Sequence, residues 1–157
     1  NMGIDVLYSG TVSGALEGAV MDTPSIAVSS SDWSNPIYST AADFMLEFLE
    51  TFDVKKMPPF TALNINVPSV EREDLKGWRI TRQSRRRYKD YFEKRKDPYG
   101  NNYYWIFGEV VEDECSLDSD FCAVKENYVS ITPLHAIMTD KDYFEELKEQ
   151  SKGWEKI

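Results

Sequence analysis

"LYSGTVSGALEGAVMDTPSIAVSS", Leu7 to Ser30, sets a glycine-bearing helix, a breaker and a short strand in a row. In Thr11–Val20 the apolar residues Val12, Ala15, Leu16, Ala19 and Val20 recur at helical spacing and form one face. Pro24 ends that pattern, and "SIAVSS", Ser25–Ser30, follows as a strand. The glycines Gly10, Gly14 and Gly18 need a reason, because an interior helical glycine costs about 1 kcal/mol relative to alanine. Gly10 lies at the mouth of the helix, where a bare backbone lets amides face an anion. Gly14 and Gly18 are expected to let the helix lie close on a sheet.

The frame continues outward. "SNPIYSTAADFMLEFLETF" reads as a second helix, with Asn35 as its cap and Pro36 at its first position. Its apolar positions cover most of the circumference, so heavy burial is expected. "TALNINVP" is a strand ended by proline, and "GWRITRQ", Gly77–Gln83, is another. Helix, strand, helix, strand points to an α/β body with a mainly parallel sheet. The pattern then changes. Two aromatic-rich runs, Tyr88–Lys96 and Tyr103–Val111, flank the turn cluster "DPYGNN" and read as a long projecting β-hairpin whose aromatics need cover from a second subunit. "YVSITPLH" is a last strand, and Asp140 caps a terminal helix.

Composition bounds the function. The 157 residues fit one domain, and 41% hydrophobic content supports a core. A net charge of -9 argues against a general nucleic-acid binder. A single histidine, His135, removes any histidine-rich metal site. No apolar run reaches the ~20 residues that span a bilayer. Cys115 and Cys122 read as free thiols in a reducing, cytoplasmic compartment, with a short-loop disulfide as the alternative. The opening "NMGID" reads as the inside of a loop, as if a segment preceded it.

Ser9, Gly10 and Thr11 carry the chemistry. A helix N-terminus offers unpaired N–H groups and about half a positive charge, and two hydroxyls add donors. Ser9 or Thr11 could equally be an ordinary cap with nothing bound. The stretch is no P-loop, since no Gly-Lys-Ser/Thr follows, and it lacks the Gly-x-Ser-x-Gly frame of a nucleophile elbow.

In its wider context, "NMGIDVLYSGTVSGALEGAVMDTPSIAVS" resembles the SurE family of metal-dependent nucleotidases, the survival protein E acid phosphatases. "LNINVP", "KGWRITRQSRRRY", "DPYGNNYYWIFGEV" and "YVSITPLH" extend the resemblance in order along nearly the whole chain. The resemblance implies a Rossmann-like three-layer α/β body with a projecting hairpin and a C-terminal helix in an exchanged segment. Residues 1–83 would be the C-terminal part of the body, and 84–157 the oligomerising extension. It further implies dimers or tetramers, Mg²⁺ or Mn²⁺ as cofactor, and nucleoside 5′- or 3′-monophosphates, with short polyphosphate, as substrates. The family's metal ligands would all lie upstream of Asn1, so none is expected in this chain. Carried over, Asn1 lines the site beside a metal ligand, and Ser9, Gly10 and Thr11 hold phosphoryl oxygens. The rival reading is a non-catalytic phosphate-binding or assembly module.

Weaker candidates remain. His135 is either a general acid or a structural group in a loop. Asp32, in "SSSDWSNP", sits after a strand, where α/β sites open, whereas Asp43 reads as a surface residue of its helix. Arg79, Arg82, Arg85, Arg86 and Arg87 either grip an anionic substrate or balance an acidic chain. Tyr103, Tyr104, Trp105 and Phe107 read as interface or core, or as a stacking surface for a base.

Overall fold

A computed structural model describes residues 1–154 except Arg86, 112–114 and Leu117, and leaves undescribed the side chains of Arg87, Tyr88 and Val110. After a 3-10 turn over Gly3–Tyr8 come α1 (Gly10–Val20), β1 (Ser25–Ser30), α2 (Tyr38–Thr51), β2 (Thr61–Val67) and β3 (Trp78–Ile80). The hairpin β4 (Arg87–Lys96) and β5 (Asn102–Val111) follows, then α3 (Asp120–Lys125), β6 (Val129–His135) and α4 (Lys141–Gln150).

The body sheet has the order β1-β2-β6-β3. β1 runs parallel to β2, and β3 runs parallel to β6. β6 is antiparallel to β2, so the sheet is mixed where the sequence pattern led to a mainly parallel one.

Strand alternation makes the layers. Leu63, Ile65 and Val67 of β2 point to one face, where they pack with Val129, Ile131 and with Ala41 and Phe44 of α2. Ala62 turns the other way and packs with Val6, Val12, Ala15 and Ala19 under α1. Further along that second face the sheet is polar. Asn64 and Asn66 are fully buried there, registered against Thr132 and Ser130 of β6. Thr81 Oγ1 bridges Ser130 Oγ at 2.8 Å and Thr132 Oγ1 at 2.7 Å.

Four local expectations are corrected. First, α2 is not heavily buried: only Thr40, Ala41 and Phe44 are, while Leu46 and Leu49 stand exposed. Second, its cap is not Asn35. The N-cap position is Ile37, without a side-chain cap hydrogen bond, and the Ser69 hydroxyl holds the approach to the helix, accepting the Ile37 N–H at 2.8 Å and donating to the Asn35 carbonyl at 2.9 Å. Third, β3 is shorter than Gly77–Gln83 and exposes Trp78 and Ile80, because it pairs with β6 for three residues only. Beyond them Thr81 turns inward, and Arg82 pairs with the 118–120 segment. Fourth, Cys115 and Cys122 are joined in a disulfide with Cα atoms 5.6 Å apart, so the free-thiol reading does not hold.

The glycines of α1 divide differently from expectation. A Cβ at Gly18 would run into the Ser25 hydroxyl, so this glycine does permit close packing on β1. Gly14 is exposed and a Cβ there meets nothing, so packing does not explain it. Gly14→Ala is therefore expected to stabilise the protein by about 0.5–1 kcal/mol. Gly18→Ala should forfeit that gain, because Ser25 must give up its 2.8 Å hydrogen bond to the Thr23 carbonyl. Paired urea unfolding curves check this; a higher midpoint for Gly18→Ala than for Gly14→Ala would contradict it.

The hairpin forms its own two-stranded sheet. Its turn is set by Asp97, which accepts the N–H groups of Tyr99 at 2.9 Å and Asn101 at 2.8 Å, with Gly100 at φ +87°. Side-chain and backbone hydrogen bonds from Asn101 hold the Asp97 carboxyl below its usual range. Tyr91 stacks on Phe107, while Phe92, Tyr104 and Trp105 remain exposed. No helix among the described residues is long and apolar enough to cross a membrane.

Candidate functional site

The site is built on the polar face of the sheet and the two loops above it. Ser9 has extended backbone and caps α1: its Oγ accepts the Val12 N–H at 3.2 Å, and its carbonyl accepts the Ser13 N–H at 2.9 Å. That leaves the N–H groups of Gly10 and Thr11 without partners among the described hydrogen bonds. The Ser9 side chain thus does perform the ordinary capping role, and its hydroxyl proton is still available for an acceptor. Space above Gly10 is open.

Thr11 lines a cavity of about 560 Å³. Asn1, Asp5, Ser29, Ser30 and Asp32 line the same cavity. The structure thus brings Asn1, Thr11 and Asp32 together, with Ser9 and Gly10 at the helix end beside them. Asn1 is fixed from two sides. Its Nδ2 donates to Ser29 Oγ at 2.6 Å, and its carbonyl accepts from Asn64 Nδ2 at 2.8 Å and Asn66 Nδ2 at 3.2 Å. Gly3 is held likewise, its N–H by Asp120 Oδ2 at 2.8 Å and its carbonyl by Gln83 Nε2 at 2.8 Å.

Five side chains distant in sequence therefore strap Asn1 and Gly3 to the body. Sequence reasoning missed all five. The one available signal was "LNIN", two asparagines on one face of an otherwise apolar strand. Ser30 Oγ and the Oδ1 atoms of Asn64 and Asn66 are buried without a partner. Such orphaned groups cost about 1–3 kcal/mol each, so this floor is not arranged for stability alone.

The other candidates lie elsewhere. His135 is exposed and lines a separate cavity of about 400 Å³ with Leu16 and Leu134; its Nδ1 accepts the Ile137 N–H at 3.1 Å. Asp43 is exposed on α2. In the basic run, Arg79 lies over the Tyr128 ring at 4.2 Å and Arg82 pairs with Asp118 at 2.8 Å. That ion pair, helped by the Ser116 hydroxyl, holds the Asp118 carboxyl below its usual range. Arg86 and the side chain of Arg87 are outside the described residues.

Among the described residues no three His, Cys, Asp or Glu side chains come together to hold a metal ion. Asp32 Oδ1 is already engaged by the N–H groups of Ser34 at 2.7 Å and Asn35 at 3.2 Å. The described residues do not by themselves fit a divalent cation.

These features define an α/β protein with a cavity at the carboxyl end of a parallel strand pair, beside an uncovered helix N-terminus. The family model described as "Survival protein SurE" matches residues 1–90. The chain belongs to the SurE family. It is 70% identical over 153 residues to a protein named 5′-nucleotidase SurE from Kosmotoga olearia, covering 98% of this chain and 60% of that relative. A 5′-nucleotidase SurE from Thermosipho melanesiensis is 59% identical, over 96% of this chain and 59% of its own length. The crystal structure of the SurE protein from Aquifex aeolicus superposes with a TM-score of 0.79 at 37% identity, covering 96% of this chain and 61% of that one. The chain thus spans about three fifths of the length of the relatives it matches.

Proposed function

We propose that this chain serves an enzyme that hydrolyses nucleoside monophosphates to nucleoside and phosphate, and that it supplies the phosphate cradle. The observation that carries this reading is the open N-terminus of α1 beside a cavity walled by Asn1 and Thr11. The names of the nucleotidase relatives support it. The Gly10 and Thr11 N–H groups and the Ser9 and Thr11 hydroxyls are donors suited to phosphoryl oxygens. The positive end of the helix favours charge that accumulates there as the ester bond breaks. Asn1, clamped by Ser29, Asn64 and Asn66, keeps the opposite wall fixed, so the anion meets preset donors.

The Mg²⁺ or Mn²⁺ ion that the resemblance implies is left to residues outside this chain. Residues 1–83 carry the cradle. Residues 84–157 supply strand β6 to the body, and their hairpin and terminal helix serve contacts in a dimer or tetramer with exchanged segments.

Phosphate release from nucleoside monophosphates by the full-length protein, after chelation and then with Mn²⁺ or Mg²⁺ restored, tests the activity. Activity lost and regained is expected; none under any metal would leave the binding-module reading. Thr11→Val tests the cradle. It should weaken inhibition by inorganic phosphate about tenfold, the worth of one charge-assisted hydrogen bond of ~1.5 kcal/mol, with little change in unfolding midpoint. Unchanged inhibition would count against the cradle.

A further inference from the structure

We infer that Trp33, with Tyr38 lining the same cavity, is a stacking platform for the base of the nucleotide; this rests on the phosphate-cradle reading and extends it to the other end of the substrate. Trp33 is 98% exposed, more than any other large apolar side chain described. An exposed indole offers a large flat apolar face with a polar N–H at its edge, a surface suited to stacking on a planar ring.

Its loop, between β1 and α2, is pinned on both sides of it. The Ser31 N–H donates to the Val67 carbonyl at 2.9 Å, and Ser31 Oγ accepts the Ser69 N–H at 3.0 Å. Asp32 folds the backbone of Ser34 and Asn35 onto its carboxylate, and Ser69 holds Asn35 and Ile37. The ring is therefore presented from a fixed backbone, which reduces the ordering cost of binding.

Position supplies the ligand. Trp33 and Tyr38 line the same cavity as Asn1 and Thr11. Its volume of about 560 Å³ far exceeds what inorganic phosphate fills and lies in the range of small-molecule sites. Donors for an anion sit at one part of the wall and two aromatic rings at another, the polarity of a nucleotide. The hairpin aromatics Tyr103, Tyr104, Trp105 and Phe107 do not line this cavity. Every base offers a π-face, so a stacking platform holds purines and pyrimidines alike and selects weakly among them.

The experiment is calorimetric titration of the full-length protein and its Trp33→Ala and Trp33→Phe variants with adenosine 5′-monophosphate, adenosine, ribose 5-phosphate and inorganic phosphate. Trp33→Ala should weaken both adenine-bearing ligands by about 5- to 150-fold and leave ribose 5-phosphate and phosphate unchanged; Trp33→Phe should restore most of the loss. An equal loss for all four ligands, or unaltered adenosine affinity, would overturn the platform. So would a fall in assembled mass by light scattering with adenosine affinity intact, because Trp33 would then be covered by protein. The two readings separate cleanly. Adenosine binding that depends on Trp33 without hydrolysis of any phosphate ester keeps the platform and removes the nucleotidase. Hydrolysis with Trp33→Ala indistinguishable from the parent does the reverse.

Discussion

Asp120→Ala is expected to destabilise the protein by about 3 kcal/mol or more, the largest loss for any single polar side chain described. Asp120 is completely buried at the start of α3. Its Oδ2 accepts the Gly3 N–H at 2.8 Å, and its Oδ1 accepts the N–H groups of Ser84 at 3.0 Å and Phe121 at 2.7 Å. Removing the carboxylate strands these three donors, and leaving one unsatisfied in a buried setting costs about 1–3 kcal/mol. Asp120→Asn keeps one oxygen but turns an NH₂ group toward at least one of those donors, so it should fall between parent and alanine variant. The loss has a functional side, since Gly3 is two residues from Asn1 at the cavity wall. Urea unfolding of the three proteins gives the ranking; equal midpoints for parent and Asp120→Ala would show that another group satisfies Gly3 and Ser84.

Ile65→Ala should cost about 4 kcal/mol. Ile65 has no exposed surface, lies at the centre of β2 between Val28 and Ile131, and packs in the cluster with Phe44 and Val129. Truncating a buried isoleucine loses transfer energy and leaves a cavity. Leu46→Ala and Leu49→Ala, on the exposed face of α2, should cost under about 0.5 kcal/mol in the same chain studied alone. The contrast is the useful readout. A large loss at Leu46 or Leu49 would mean that another surface covers α2 in solution.

Much of this architecture was legible before any coordinates. β1 and β2 fall on the expected residues, the hairpin differs by a residue at its ends, and Asp140 does cap α4 by accepting the Tyr143 N–H at 2.9 Å. These are local signals: alternation, breakers, turn chemistry and caps. What was not legible is what depends on distant partners. Six-residue α3 is too short for a periodicity to declare itself. Ser69 holds the entry to α2 from 32 residues beyond Ile37, and Asn35 does not cap it. Asp120 reaches Gly3 across 117 residues, and the Cys115–Cys122 pairing depends on a local path that spacing alone does not set. The candidate site divides in the same way. Ser9, Gly10, Thr11 and Asp32 were picked out by type and position along the chain, and Asn1 through the family resemblance. Trp33 and the asparagine clamp needed the cavity and the sheet register to be seen.

The place of β6 governs the order in which this chain can fold as it is made. Among the described residues β3 finds its strand partner only in β6, some fifty residues later in synthesis, and β6 also closes the far side of β2. A nascent chain that has produced α1, β1, α2 and β2 still lacks the strand that joins β2 to β3. Until residue 135 clears the ribosome, Leu63 and Ile65 have one flank unpaired and Trp78–Ile80 lack the ladder they form with β6. The polar clamp on Asn1 waits as well, because Asn64 and Asn66 sit opposite Thr132 and Ser130. Contacts this far apart in sequence form late and slowly. Premature termination anywhere before β6 therefore leaves an open edge on β2 and no ladder for β3.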